Sequence, residues 1–95
     1  MSDRTFYLLT YDIADPKRLA KVAKAMEAVG ERVQDSVFEA YLNDVELEKL
    51  LNKVRKIMRD DEDSLRLYAL CASCRGRLRV LGQGRITPPP GTMIV

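Results

Sequence analysis

A chain of 95 residues, 46% hydrophobic and 32% charged, has the make-up of one soluble globular domain, residues 1–95. It contains no histidine, which excludes Ser-His-Asp and Cys-His triads, histidine acid–base chemistry and histidine metal ligands. Its net charge of +2 conceals an asymmetry: residues 31–63 hold ten acids against six bases, whereas residues 64–95 hold five arginines and no acid, a balance suited to phosphate contact or to a basic solvated surface.

FYLLTYDI, residues 6–13, reads as a first strand, apolar, aromatic or hydroxyl everywhere except Asp12. Alternation places Asp12 on one face with Phe6, Leu8 and Thr10, and Tyr7, Leu9, Tyr11 and Ile13 on the other. A helix follows, with Asp15 as N-cap, Pro16 at its first position and Gly30 as its stop. Leu19, Val22, Ala23, Met26 and Val29 recur at helical spacing and form its apolar stripe. ERVQDSVFEAYL, residues 31–42, is rich in Val, Phe and Tyr and is expected to be the second strand.

Asn43 or Asp44 can cap a second helix, whose stripe is Leu47, Leu50, Leu51, Val54, Ile57 and Met58. The acidic run from Asp60 to Asp63 reads as a solvated loop, and SLRLYALC, residues 64–71, as the third strand. CASCRGR is a connector, and LRVLGQG a fourth strand. Pro88, Pro89 and Pro90 stop regular pairing, and Thr92 to Val95 is expected as a short extra strand.

Two β-α-β halves of this length predict an α+β, ferredoxin-like βαββαβ sandwich with both helices on one sheet face. The other face then lacks a layer of its own. A second copy would cover it, giving a homodimer packed through the sheets, with the tail of about 85–95 free to pair with a sheet edge of its own chain or the partner's.

Asp12 stands at the end of a central strand, just before a helix start. Two roles fit. It can be a turn residue bonded to nearby backbone N–H groups. It can also be a hard oxygen ligand for Mg²⁺ or Mn²⁺, which take few protein carboxylates and leave room for water and a substrate phosphate. A twofold axis nearby would bring two Asp12 side chains together, and the metal they hold would activate water and neutralise charge on a phosphodiester.

Larger motifs narrow the choice. Tyr11-Asp12-Ile13, Arg18-Leu19, Gly30-Glu31-Arg32-Val33-Gln34, Ser36-Val37-Phe38-Glu39, Asp63-Ser64-Leu65-Arg66-Leu67-Tyr68 and Leu81-Gly82 follow one another in order over nearly the whole chain. In this the sequence resembles the small CRISPR-associated nuclease family, the Cas-two proteins that serve in spacer acquisition. The resemblance implies a ferredoxin-like homodimer with metal-dependent phosphodiesterase activity on RNA or DNA, and Asp12 of both subunits as catalytic residue and Mg²⁺ (or Mn²⁺) ligand. It also implies partnership with the CRISPR integrase, with the small dimer as the block on which duplex DNA lies.

Other candidates are weighed beside it. Arg32 offers a planar fork for a phosphate, or is an exposed strand-end charge. Tyr11, Ser36 and Phe38 are candidates for substrate positioning, with core packing or a satisfied strand hydroxyl as the alternative. Lys17, Lys21 and Lys24 share one helix face, and with Arg18, Arg77 and Arg79 they form a candidate nucleic-acid surface or a merely solvated one. Cys71-Ala72-Ser73-Cys74 is a C-x-x-C pair, too few ligands for structural zinc, and reads as two reduced structural thiols or a redox dithiol. No apolar run approaches ~20 residues and no signal-like apolar core is present, so a cytoplasmic location without membrane contact is expected.

The expected function is therefore a metal-dependent endonuclease and DNA-holding scaffold of spacer acquisition. The alternatives are a non-catalytic DNA-binding scaffold dimer, a toxin-like messenger-RNA interferase, which shares this small sandwich, and a small-ligand regulatory dimer, for which no Gly-rich loop stands out.

Overall fold

The structure is a computed structural model, which describes residues 4–82. Strands β1 (Thr5–Asp12), β2 (Glu31–Gln34), β3 (Val37–Leu42) and β4 (Ser64–Leu70) form one sheet in the order β2-β3-β1-β4. Every neighbouring pair is antiparallel. Helices α1 (Pro16–Glu27) and α2 (Asp44–Ile57) link β1 to β2 and β3 to β4, and a single turn, α3 (Ala72–Arg75), follows β4. This is the ferredoxin-like β1-α1-β2-β3-α2-β4 order, with β1 and β3 central.

The elements form for local reasons. The Asp15 side chain accepts a hydrogen bond from the Arg18 backbone N–H, and Pro16 follows at the first helical position. Asn43 caps α2 through a reciprocal box, accepting from Glu46 N while the Glu46 side chain accepts from Asn43 N. Arg4 grips the same Glu46 carboxylate with two bonds of 2.9 Å, tying the start of β1 to the start of α2.

One face of the sheet carries Leu9, Tyr11, Phe38, Ala40 and Leu42 against Val22, Ala23, Ala25 and Met26 of α1 and Leu50 and Val54 of α2. Among the described residues, Phe38, Leu9, Met26, Val22 and Val54 are the largest fully enclosed side chains. Each contributes roughly 1.5–3 kcal/mol by leaving water. Leu65 and Leu67 of β4 pack against this core from its edge. Leu19 is more exposed than its place in the stripe implied, and Ala25 takes its place inside.

Four sequence expectations need correction. Residues 31–42 are a hairpin of two strands, because Asp35 and Ser36 turn the chain between them. The turn is fastened to β1: Tyr11 N donates to Ser36 O at 3.1 Å, and the Tyr11 hydroxyl to Asp35 O at 3.2 Å. β2 is fully exposed and charged, as suits a sheet edge, and bulges at Val33 where the register skips from Arg32 to Gln34.

Residues 78–82 of the expected fourth strand pair with no strand among the described residues. Their start is spent unwinding α3, with Arg77 N bonded to Cys74 O and Leu78 N to Arg75 O. The four-stranded count is reached instead by splitting 31–42. The rest of that segment and Thr92 to Val95 lie outside the described residues.

Gly30 is not a left-handed stop, since Gly82 alone has positive φ among the described residues. Gly30 is required by space: a Cβ there would lie 2.5 Å from Glu39 O and 2.9 Å from the Ala40 Cβ. Gly30→Ala should cost roughly 1–3 kcal/mol, read as an earlier denaturant midpoint with an unchanged slope, because α1 must back away from β3.

The acidic run is not all solvated. The Asp63 side chain has 0% exposure, and Arg18 Nε bonds it at 2.9 Å. It also accepts from the backbone N–H groups of Ala14 and Arg59, each at 2.9 Å. No helix among the described residues is long and apolar enough to cross a membrane.

Candidate functional site

Helices α1 and α2 cover one sheet face; on the other, Phe6 and Glu39 are buried, Phe6 beneath the Arg75 guanidinium, whereas Asp12, Ser64, Arg66 and Tyr68 are exposed. The second face carries the residues of β1 that alternate with the core: Phe6, Leu8, Thr10 and Asp12. Antiparallel pairing sets Leu8 opposite Tyr68, Thr10 opposite Arg66, and Asp12 opposite Ser64. Thr10, Tyr11, Asp12, Ser64, Arg66 and Tyr68 line an open groove of about 270 Å³. Its lining combines the Asp12 carboxylate, the hydroxyl residues Thr10 and Ser64, two tyrosines and the Arg66 guanidinium.

Asp12 is exposed yet held in place. Its backbone ends the β1–β4 ladder, and the next three residues are each fixed. Ile13 is buried, Ala14 N donates to the Asp63 carboxylate, and Asp15 caps α1. Asp63 adjoins Ser64, so the clamp that fixes the loop after Asp12 also fixes the start of the strand beside it.

Arg18 completes this clamp. Its guanidinium reaches Asp63 at 2.9 Å and Glu62 at 2.8 Å, leaving the side chain 19% exposed. That pairing raises the Arg18 pKa, and it holds the Asp63 carboxyl down at about 2. Arg18, expected on the nucleic-acid surface, is instead spent inside the fold. Charge alone could not show this, since its partner lies 45 residues away in sequence.

Of the remaining candidates only Tyr11 lines the groove with Asp12. Tyr11 and Phe38 lie on the helix-covered face, with ring centroids 6.1 Å apart and nearly parallel. Phe38 has no exposed surface to offer a base. Ser36 is half-buried in the β2–β3 turn. Arg32 sits over the Phe38 ring, 5.4 Å from its centroid, and 3.8 Å from Glu27. Burial pushes the Tyr11 phenol up, with Arg32 partly offsetting it.

Lys17, Lys21 and Lys24 line the solvent side of α1, across the protein from the open sheet face. Arg77 and Arg79 are exposed beyond α3, which starts where β4 meets Phe6. That is the opposite end of β1 from Asp12, roughly 20 Å away at the usual strand rise.

Thr10, Ser64, Arg66 and Tyr68 are the groove residues that sequence reasoning did not assign to the site. The signal was present: SLRLY alternates, and an antiparallel partner of β1 must put its polar members beside Asp12.

Comparison with known proteins identifies the family and agrees with the fold. The family described as "CRISPR associated protein Cas2" matches residues 5–78. A CRISPR-associated endoribonuclease Cas2 of Chloroflexus aurantiacus is 44% identical over 88 residues, covering 92% of this chain and 91% of that protein. The crystal structure of the hypothetical protein TT1823 from Thermus thermophilus superposes with a TM-score of 0.79 at 38% identity, over 90% of this chain and 99% of that one. A chain of a partial Cas6-RT-Cas1–Cas2 complex superposes with a TM-score of 0.75 at 25% identity, over 96% of this chain and 99% of that one. With the fold, the motifs and the family match all in agreement, the chain belongs to the CRISPR-associated protein Cas2 family.

Proposed function

We propose that this protein is a metal-dependent endonuclease of CRISPR spacer acquisition, working as a twofold homodimer that cleaves phosphodiester bonds in RNA or DNA. The observation that carries the reading is Asp12, an exposed carboxylate fixed at a strand end among Thr10, Ser64, Arg66 and Tyr68 on the sheet face that α1 and α2 leave uncovered. The endoribonuclease name borne by the Chloroflexus relative supports the reaction class. The Cas1–Cas2 neighbour supports the CRISPR integrase as partner.

The donor set suits a hard cation. Asp12 and nearby hydroxyls are oxygen donors, and no group of three His, Cys, Asp or Glu side chains among the described residues suggests a closed protein cage. One chain thus supplies one carboxylate, and a second copy across the open face would supply the other. A bound Mg²⁺ or Mn²⁺ supplies Lewis acidity and a water of lowered pKa. Within the chain, Asp12 provides the anionic oxygen and orients water. Ser64 and Thr10 donate to phosphate oxygens, and the Arg66 fork neutralises charge that grows on them.

Cleavage of labelled RNA and duplex DNA in Mg²⁺, with chelation as the control, tests the reading. Cleavage that stops on chelation supports it. Absence of cleavage, with complex formation with the integrase intact, leaves the DNA-binding scaffold instead.

That second reading has its own observation: the exposed Lys17, Lys21 and Lys24 row on α1, remote from Asp12. If duplex DNA lies there, Lys17→Ala with Lys21→Ala should weaken binding and reduce the slope of log K against log salt by about 2, roughly 0.9 per lost phosphate contact. A salt titration by fluorescence anisotropy measures it, and an unchanged slope places the DNA elsewhere.

A further inference from the structure

The C-x-x-C pair is not used by any of this chemistry, and its setting is not that of packing thiols. Cys71 and Cys74 are both exposed, and neither belongs to the core. Cys71 precedes α3 as its cap, and Arg75 N donates to Cys71 O at 2.9 Å, so the intervening residues form one helical turn. Residues three apart in such a turn lie side by side, roughly 5–6 Å between Cβ atoms, a short movement from disulfide distance. Cys71 Sγ lies 3.2 Å from Ser73 Oγ.

The surroundings make the pair unequal. Cys71 lines an open groove of about 360 Å³ whose charged and titratable members are Arg4, Arg75 and Tyr41. The groove leaves the Cys71 thiol open to a small disulfide, with Arg4 held by Glu46 and Arg75 stacked over the Phe6 and Tyr41 rings. Bonds from Ser73 and Cys74 hold the Cys71 thiol down at about 7, while its neighbour pushes Cys74 up. One sulfur is thus set to attack and the other to keep its proton until needed.

We propose that Cys71 and Cys74 form a reversible dithiol–disulfide pair that exchanges with low-molecular-weight disulfides such as oxidised glutathione. The Cys71 thiolate attacks one sulfur of the small disulfide, forms a mixed disulfide and expels one thiolate. Cys74 then loses its proton to that leaving thiolate or to water and attacks Cys71 Sγ. The mixed bond breaks, the second small thiol departs, and the Cys71–Cys74 bond remains. Two electrons pass from the protein pair to the small disulfide, and reduced glutathione in excess reverses each step. A bond closing so short a loop is readily reduced, as a reversible device requires. The turn it would tighten carries Arg75, whose guanidinium lies 5.5 Å from the Phe6 ring and 5.4 Å from the Tyr41 ring on the open sheet face.

The purified full chain, incubated in glutathione buffers of graded oxidised-to-reduced ratio, is acid-quenched, alkylated and weighed by mass spectrometry. The proposal predicts loss of two hydrogens within a single chain, reversed by reduced glutathione. Cys74→Ser should accumulate one glutathione on Cys71, and Cys71→Ser should accumulate far less on Cys74. At pH 7, iodoacetamide should modify Cys71 roughly tenfold faster than Cys74, the larger thiolate fraction outweighing its lower nucleophilicity. Equal alkylation rates with no intramolecular bond at any ratio would overturn the proposal. So would disulfides that form only between chains.

Discussion

Asp63→Ala is expected to lower Tm by on the order of 10 °C. The carboxylate has no exposed surface and accepts hydrogen bonds from Arg18 Nε, Ala14 N and Arg59 N. Removing it leaves Arg18 only Glu62 and strands two backbone donors where water cannot fully replace it. Asp63→Asn should do nearly as much harm, because its amide group presents donors to donors.

The same carboxylate sets an acid limb. Its pKa is depressed from an ordinary 3.8 to about 2, so the folded state binds fewer protons than the unfolded one. Its contribution is fully present above pH ~4 and is lost as pH falls toward ~2. Glu46, held down from 4.5 to about 2 by Arg4, acts in the same direction. Urea midpoints measured between pH 5 and pH 2 should therefore fall steeply in the wild type and less steeply in Asp63→Asn.

Asp12→Asn is expected to reduce cleavage by at least ~100-fold while Tm stays within a degree or two. Even groups that only support a metal ligand cost 10–100-fold when removed, and Asp12 is the one anionic group lining the groove. The side chain is exposed, and the loop behind it is fixed by Ile13, Ala14 and Asp15 rather than by the Asp12 carboxylate. Arg66→Ala should lose less activity and should chiefly raise KM if the fork binds phosphate equally before and during reaction. Full activity in Asp12→Asn would transfer the chemistry to another part of the molecule.

Much of the fold was legible because its causes are local. The alternation in FYLLTYDI, the Asp15–Pro16 start of α1 and the Asn43 cap of α2 are each written within a few residues. The β2–β3 turn was missed because Asp35-Ser36 lacks the glycine that marks tight hairpins, and because the residues on both sides favour strands. Asp63 was missed because nothing in a run of four acids singles out the one that meets Arg18 across the fold. The position of Asp12 was legible from strand parity alone. Its neighbours Ser64, Arg66 and Tyr68 needed the register of β4 against β1, a non-local fact.

The central claim is a cation site built from one carboxylate of each of two chains. Its most direct test is Mn²⁺ binding followed by isothermal titration and electron paramagnetic resonance, on the wild type and on Asp12→Asn, with the oligomeric state fixed by light scattering. The account predicts one Mn²⁺ per two chains in the wild type and none of comparable affinity in the variant. Binding that survives Asp12→Asn, or a full Mn²⁺ per chain, would contradict it.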